Sequence, residues 1–134
     1  MSYGMTLTLD QPFDRIVPAV KEALAEQGFG ILTEIDMAAT LRAKLGVETT
    51  GQVILGACNP PLAHRALLAE ESVGLLLPCN VVVRATAGDR TTVEALDPAV
   101  MVAVTGNEAL RPVADEAAKR LRAALESLEQ RQSG

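Results

Sequence analysis

Apolar and polar positions alternate in two different ways along the chain, and the two patterns predict ten elements. Strict alternation is typical of strands, and apolar residues three and four apart are typical of helices. Strands are predicted over residues 3–9, 29–35, 53–57, 81–86 and 91–96, with an extended stretch at 75–77 leading into the fourth. Helices are predicted between Pro12 and Gly28, between Asp36 and Gly46, from Pro60 to about Glu70, between Asp97 and Gly106, and over residues 108–131.

Helix boundaries are marked by residues with known end preferences. Asp36 and Asn59 are good N-caps, and Pro60 occupies a first helical position, where its missing N–H does no harm. Pro18 interrupts the first helical pattern. That helix therefore either begins near Asp14 or Arg15, with Pro18 in its first turn, or kinks at Pro18.

The order of elements predicts the fold class. Strands and helices interleave, but the hairpin over residues 81–96, with its turn at 87–90, breaks a strict βα alternation. We therefore expect an α+β two-layer sandwich, with a mixed or mainly antiparallel sheet and helices packed on one face. A chain of 134 residues leaves room for one core, so residues 1–134 are predicted to form a single domain.

The last helix carries an apolar seam that predicts packing within the subunit. Its positions recur at alternating spacings of three and four, and alanines among them permit close approach to a sheet. The seam comprises Leu110, Ala114, Ala117, Leu121, Ala124 and Leu128.

Charge and composition exclude several classes of partner. The net charge is −5, aromatic residues make up 2 %, and basic side chains are not clustered, so no nucleic-acid partner is expected. The longest apolar stretch, 73–83, is interrupted by Pro78 and is too short for a span, so no membrane partner is expected. The N-terminus lacks a secretory pattern, and two cysteines suit a reducing compartment, which predicts a cytoplasmic location.

The usual catalytic motifs are missing from the sequence. A single histidine, His64, excludes an HExxH zinc site, and no glycine-rich phosphate loop or G-x-S-x-G elbow is present. We assign no catalytic residue, and the sequence identifies neither a cofactor nor a metal.

Two Cys-Asn dipeptides are the best candidates for chemistry. Cys58-Asn59 follows a strand and opens a helix, whose N-terminal field favours a thiolate at Cys58. Cys79-Asn80 follows Pro78 at a break between extended stretches. From composition and spacing alone, the favoured interpretation is that both cysteines are small buried side chains and both asparagines are caps or turns. His64 lies one turn into the same helix. It is either a base near Cys58 or a residue on the helix surface with no role in chemistry.

These elements resemble the family filed as domain of unknown function 302. The resemblance rests on 53–60, with its Cys58-Asn59-Pro60, on 74–81, with its Pro78-Cys79-Asn80, and on Asp97-Pro98 with Met101. It covers almost the whole chain. It implies an α+β domain with an antiparallel sheet and a homodimer, and it implies no activity. The matching positions are Asp36, Cys58, Asn59, Pro60, Pro78, Cys79, Asn80, Asp97 and Pro98. Of these we carry forward Asp36, Cys58, Asn59, Cys79 and Asn80 as ligand-binding candidates.

Three functions remain open at this stage. The first is a small-ligand binding or sensory module with its site near the Cys-Asn elements. The second is a thiol-dependent redox or metal-handling protein that uses Cys58 and Cys79. The third is a structural or protein-interaction domain with core cysteines. Edge strands, for which 91–96 and 3–9 are candidates, carry unpaired backbone N–H and C=O groups. A second copy of the chain could pair with these groups, which also favours a homodimer.

Overall fold

The structure is a computed structural model that describes residues 2–132. Its strands are β1 (Gly4–Leu9), β2 (Gly30–Asp36), β3 (Gln52–Cys58), β4 (Cys79–Thr86) and β5 (Arg90–Leu96). Its helices are α1 (Phe13–Glu26), α2 (Met37–Leu45), α3 (Pro60–Ala69), α4 (Ala99–Thr105) and α5 (Arg111–Gln132). Two 3₁₀ turns lie at Glu71–Leu76 and Glu108–Leu110.

The five strands form one sheet in the order β1-β5-β4-β3-β2, and every neighbouring pair is antiparallel. The predicted α+β class with an antiparallel sheet is therefore confirmed. One expectation about the sheet edges is wrong: β5 lies between β1 and β4, because both β1 and the β4 hairpin pair with it. The outer strands are β1 and β2.

Helices α1 and α5 pack on one face of the sheet and enclose an aliphatic core. Side chains such as Leu55, Val83 and Val93 point from the strands into this core. The apolar seam of α5 is buried as predicted, with Leu121 fully enclosed. Helices α3 and α4 pack against the other end of α5 and form a second apolar cluster there. Helix α5 thus joins the two clusters.

The segment between α3 and β4 differs from the prediction. Residues 75–77 were expected to be extended, but Leu75 and Leu76 belong to the 3₁₀ turn at Glu71–Leu76. A run of three leucines has no period of its own, so its sequence does not distinguish strand from helix. Val73, which is completely buried, anchors the turn, while Leu75 stays exposed.

Pro18 lies in the interior of α1. The helix begins at Phe13 with Pro12 as its N-cap, so the first-turn placement of Pro18 is wrong. Asp36 and Asn59 cap α2 and α3 as predicted, each accepting a hydrogen bond from a backbone N–H three residues later. The remaining helix ends fall within a residue or two of the predicted ones. The exception is α5, which begins at Arg111 and not at residue 108, because Glu108–Leu110 form a 3₁₀ turn.

Helix α5 is the longest helix in the described part of the chain, with 22 residues, and it carries charged side chains along its length. Within residues 2–132, no helix combines the length and apolar character that a bilayer crossing requires.

Candidate functional site

A cleft opens where the sheet meets α3, α4 and α5, and both cysteines lie in its wall. It forms because β3 and β4 are antiparallel: Ala57, next to the end of β3, faces Cys79, the first residue of β4. Strand β3 ends at Cys58 and the chain turns directly into α3. Two segments separated by twenty residues in sequence therefore meet at one end of the sheet.

The cleft is small and mostly apolar. About 30 Å³ is accessible to the centre of a water-sized sphere. That is room for roughly two waters, an ion or one small group. The apolar part of the wall includes Phe29, Leu62 and Ala117, and the remaining side chains are two thiols, one thioether and one carboxamide.

Asn59 provides the carboxamide and is the most buried polar side chain near the cleft. It retains 6 % exposure, and its Oδ1 accepts a hydrogen bond from the Leu62 N–H at 3.3 Å. Its Nδ2 has no acceptor among residues 2–132. Among residues 2–132, the one fully buried side-chain nitrogen or oxygen without a hydrogen-bond partner is Gln132 Oε1, so Asn59 Nδ2 keeps some accessible surface. The cleft therefore presents an unused hydrogen-bond donor.

The first turn of α3 has no spare backbone donor for Cys58. Pro60 and Pro61 carry no N–H, and the N–H groups of Leu62 and Ala63 both donate to Asn59. No free backbone N–H of this first turn is therefore available to the Cys58 thiol. The donor available there is the side chain of Asn59.

Gly28 makes room for Asn59. It follows α1 with φ of +86°, and a Cβ at this position would lie 2.9 Å from Asn59 Nδ2. The same Cβ would lie 3.4 Å from Nη1 of Arg120, whose Nε donates to Glu116. The carboxamide and a guanidinium therefore approach the same small surface of Gly28.

The two thiols differ in exposure. Both cysteines are free; Cys58 is half-buried and Cys79 is buried. Burial, with a smaller contribution from the charge of the neighbouring Cys58, raises the pKa of the Cys79 thiol to about 11. Cys79 is therefore a protonated thiol at neutral pH, beside a more accessible Cys58.

Met101 adds a third sulfur-containing side chain to the wall. It comes from α4, is 3 % exposed, and packs with Leu62 and Val113. Sequence reasoning did not single out Met101 as a site residue, although it stood in the family pattern. The sequence around Met101 does not mark it as a site residue, because only the packing of α4 on α5 brings it to the cleft.

The remaining candidates lie away from the cleft wall. Asn80 is exposed and, as the next residue after Cys79 in a strand, points to the other face of the sheet. Asp36 lies at the far end of β2, opposite Val53, and caps α2. His64 is exposed on α3 and does not line the cleft. The structure thus brings together Cys58, Asn59 and Cys79.

The donor set of the site differs from that of a typical zinc site. Within residues 2–132, no group of three or more His, Cys, Asp or Glu side chains is placed to hold a metal ion. The cleft offers instead two thiols and a thioether.

An α+β sandwich of this topology, with a Cys-Asn element at the end of a central strand, defines a class of small domains rather than an activity. The chain belongs to the family described as Domain of unknown function DUF302, whose model matches residues 5–128. This confirms the resemblance that the Cys-Asn elements indicated.

A solved structure supports the same assignment. The chain is similar to an uncharacterised conserved DUF302 protein from Bacillus stearothermophilus, known from a crystal structure. The two share 31 % identity with a TM-score of 0.87, over 94 % of this chain and 98 % of the other. No curated protein matches the chain.

Proposed function

We propose that this domain is a binding module that takes a small ligand in the cleft beside Cys58, Asn59 and Cys79. The observation that carries the proposal is Asn59, which is 6 % exposed and has an Nδ2 without an acceptor among residues 2–132. Because this nitrogen keeps some accessible surface, a ligand in the cleft can reach it and supply the acceptor.

The wall of the cleft favours binding over catalysis. Among its lining residues, all of which are described, there is no histidine, carboxylate or lysine to move a proton. Side chains that act as general acids or bases are most often histidine or a carboxylate, and the titratable groups of this wall are the two thiols. An apolar cleft with one oriented donor is instead the usual composition of a small-ligand site.

A thiol function is the second candidate, and a specific observation favours it: Cys58 and Cys79 share the cleft and both are free. Free thiols also suit the cytoplasmic location that we propose for the protein. The third hypothesis is a structural or interaction domain. In that case the cleft binds no small ligand in solution, and the experiment below detects this outcome.

The proposal is tested with acetonitrile, a probe with one methyl group and one nitrile acceptor that fits a space of about two waters. We expect titration of the ¹⁵N-labelled protein to shift the Asn59 side-chain amide and the backbone amides around the cleft. Asn59→Asp should abolish these shifts, because the carboxylate still caps Leu62 but donates no hydrogen bond. Asn80→Asp is the matched control, since the same change falls on an exposed residue outside the cleft.

Two results contradict the proposal. One is the absence of any shift around the cleft at saturating probe. The other is an equal response in wild type and Asn59→Asp, which means that the carboxamide plays no part.

A further inference from the structure

Two side-chain nitrogens approach the same side of Gly28, at one end of the cleft. A Cβ on Gly28 would lie 2.9 Å from Asn59 Nδ2 and 3.4 Å from Arg120 Nη1. The two nitrogens are therefore no further apart than the sum of these distances. Asn59 lines the cleft, and Arg120 follows Ala117, another lining residue, by three positions on α5. Residues three apart share a helix face, so Arg120 lies at the edge of the cleft.

Both groups have N–H bonds that no protein atom uses. Asn59 Nδ2 has no acceptor among residues 2–132. Arg120 donates from Nε to Glu116 at 3.1 Å and from Nη1 to the Gln27 carbonyl at 3.4 Å. A guanidinium has more N–H bonds than these two contacts use. A carboxamide and a guanidinium thus offer donors to the same corner of the cleft.

This pair of donors favours a ligand with an anionic oxygen. A carboxylate accepts hydrogen bonds at both of its oxygens, and hydrogen bonds between charged groups are stronger than neutral ones. The rest of the wall includes the apolar side chains of Phe29, Leu62 and Ala117, which suit the hydrocarbon part of a small organic acid. The accessible space of about 30 Å³ limits that part to a very short chain.

We propose that the cleft binds a small monocarboxylate, whose oxygens accept hydrogen bonds from Asn59 Nδ2 and from the Arg120 guanidinium. The inference rests on the proposed function, since it names the class of ligand that the same cleft takes.

Glu116 competes for the same guanidinium. Its Oε1 lies 3.1 Å from Arg120 Nε, and its charge repels a bound carboxylate. Removal of the Glu116 charge should therefore strengthen binding of a carboxylate, and removal of the Arg120 charge should weaken it. These opposite effects distinguish an anion site from a site for a neutral acceptor.

The test titrates the ¹⁵N-labelled full-length protein with sodium formate at constant ionic strength. Formate is a carboxylate no larger than acetonitrile, and formamide is its neutral counterpart of the same size. We expect formate to shift the Asn59 side-chain amide and the backbone amides around the cleft, and formamide to bind about 10-fold more weakly. Asn59→Asp should abolish formate binding, because it replaces a donor with a like charge. Asn80→Asp is the control, since Asn80 is exposed and outside the cleft.

Arg120→Gln and Glu116→Gln test the role of charge. The first should remove most of the preference for formate over formamide, and the second should increase it. A general disturbance of the cleft would instead weaken both probes alike. Arg111→Gln is the matched control, because Arg111 also pairs with a nearby acid, Glu108, but does not line the cleft. Thermal melts establish that each variant is folded before its binding is compared.

Three results overturn the carboxylate assignment: equal binding of formate and formamide, an unchanged formate preference in Arg120→Gln, or weaker formate binding in Glu116→Gln. If acetonitrile shifts the cleft amides of the wild-type protein and formate does not, this inference fails and the binding function stands. If neither probe binds, the binding function fails as well.

Discussion

The position of Asn59 depends on a residue with no side chain. Gly28 adopts φ of +86°, and any Cβ there would lie 2.9 Å from Asn59 Nδ2. Non-glycine residues pay about 1–2 kcal/mol for a left-handed conformation. Gly28 therefore has both a conformational and a steric reason to be glycine, and the steric reason concerns the site.

We predict that Gly28→Ala destabilises the protein more than Gly46→Ala does. Both glycines follow a helix and have positive φ, but a Cβ at Gly46 would meet nothing within 4 Å. Gly46→Ala should cost only the conformational strain of about 1–2 kcal/mol, and Gly28→Ala should add the contact with Asn59. Urea unfolding measures both. Equal losses would show that Asn59 does not depend on Gly28.

Cys79 makes stability depend on pH in a defined direction. The thiol of an unfolded chain titrates near 9.0, and burial raises the pKa of Cys79 to about 11 in the folded protein. Between these values the folded state binds more protons than the unfolded state, so stability falls as pH rises.

We expect wild type to lose about 2–3 kcal/mol more than Cys79→Ala between pH 8 and pH 11, since each pKa unit corresponds to about 1.4 kcal/mol. Below pH 8, wild type keeps the full stability that it loses when the Cys79 thiol of the unfolded chain ionises. The measurement is urea unfolding of both proteins at the two pH values, in which other titrating groups cancel. Parallel losses in the two proteins would mean that the thiol is not buried in solution.

Among the elements, α5 is the one that links the two apolar clusters of the protein. Its seam packs against α1 and β1 in one cluster and against α3 and α4 in the other. The seam was predictable from its spacing because every position faces the interior.

We predict that Leu121→Ala destabilises the protein by about 2–5 kcal/mol, the usual cost of truncating a fully buried leucine. Leu121 has no exposure, whereas Leu68 on α3 is 75 % exposed. Leu68→Ala should change stability by no more than about 0.5 kcal/mol.

Removal of residues from Asp115 onward should leave no cooperative thermal transition. A truncated chain that melts cooperatively would contradict this role of α5.

Elements were more predictable from sequence than the site was. Strands and helices follow local patterns and caps such as Asp36 and Asn59, which act within four residues. The leucine run at 75–77 had no such pattern, and packing of Val73 decided its conformation. The cleft joins β3, β4, α3 and α4, so the sequence indicated Cys58 and Asn59 but gave no reason to select Met101 or Gly28.

At the scale of the whole molecule, the two outer strands remain available for pairing. β1 and β2 form the edges of the sheet, and β2 leaves Leu32 64 % and Ile35 44 % exposed. Exposed apolar edge strands are usually covered by a partner or blunted by charge. We therefore propose that the protein is a homodimer.

The expected mass in solution at micromolar concentration is twice the 14.1 kDa of the chain, measured by light scattering. Ile35→Lys places a charge on the exposed edge and should shift the protein towards monomer. Val104→Lys is the control, because Val104 is an exposed β-branched residue, 65 % accessible, that lies on α4 and not on a sheet edge. A wild-type mass close to that of one chain would contradict the proposal.

The proposed function requires that Cys58 lies at an accessible cleft that accepts a small ligand. This is tested by alkylation of the folded protein with iodoacetamide at pH 7, followed by site-resolved mass spectrometry. We expect Cys58 to be modified well before Cys79, which is buried and has a raised pKa, and we expect acetonitrile to slow the modification of Cys58. Negligible and equal modification of both cysteines until the protein unfolds would contradict it.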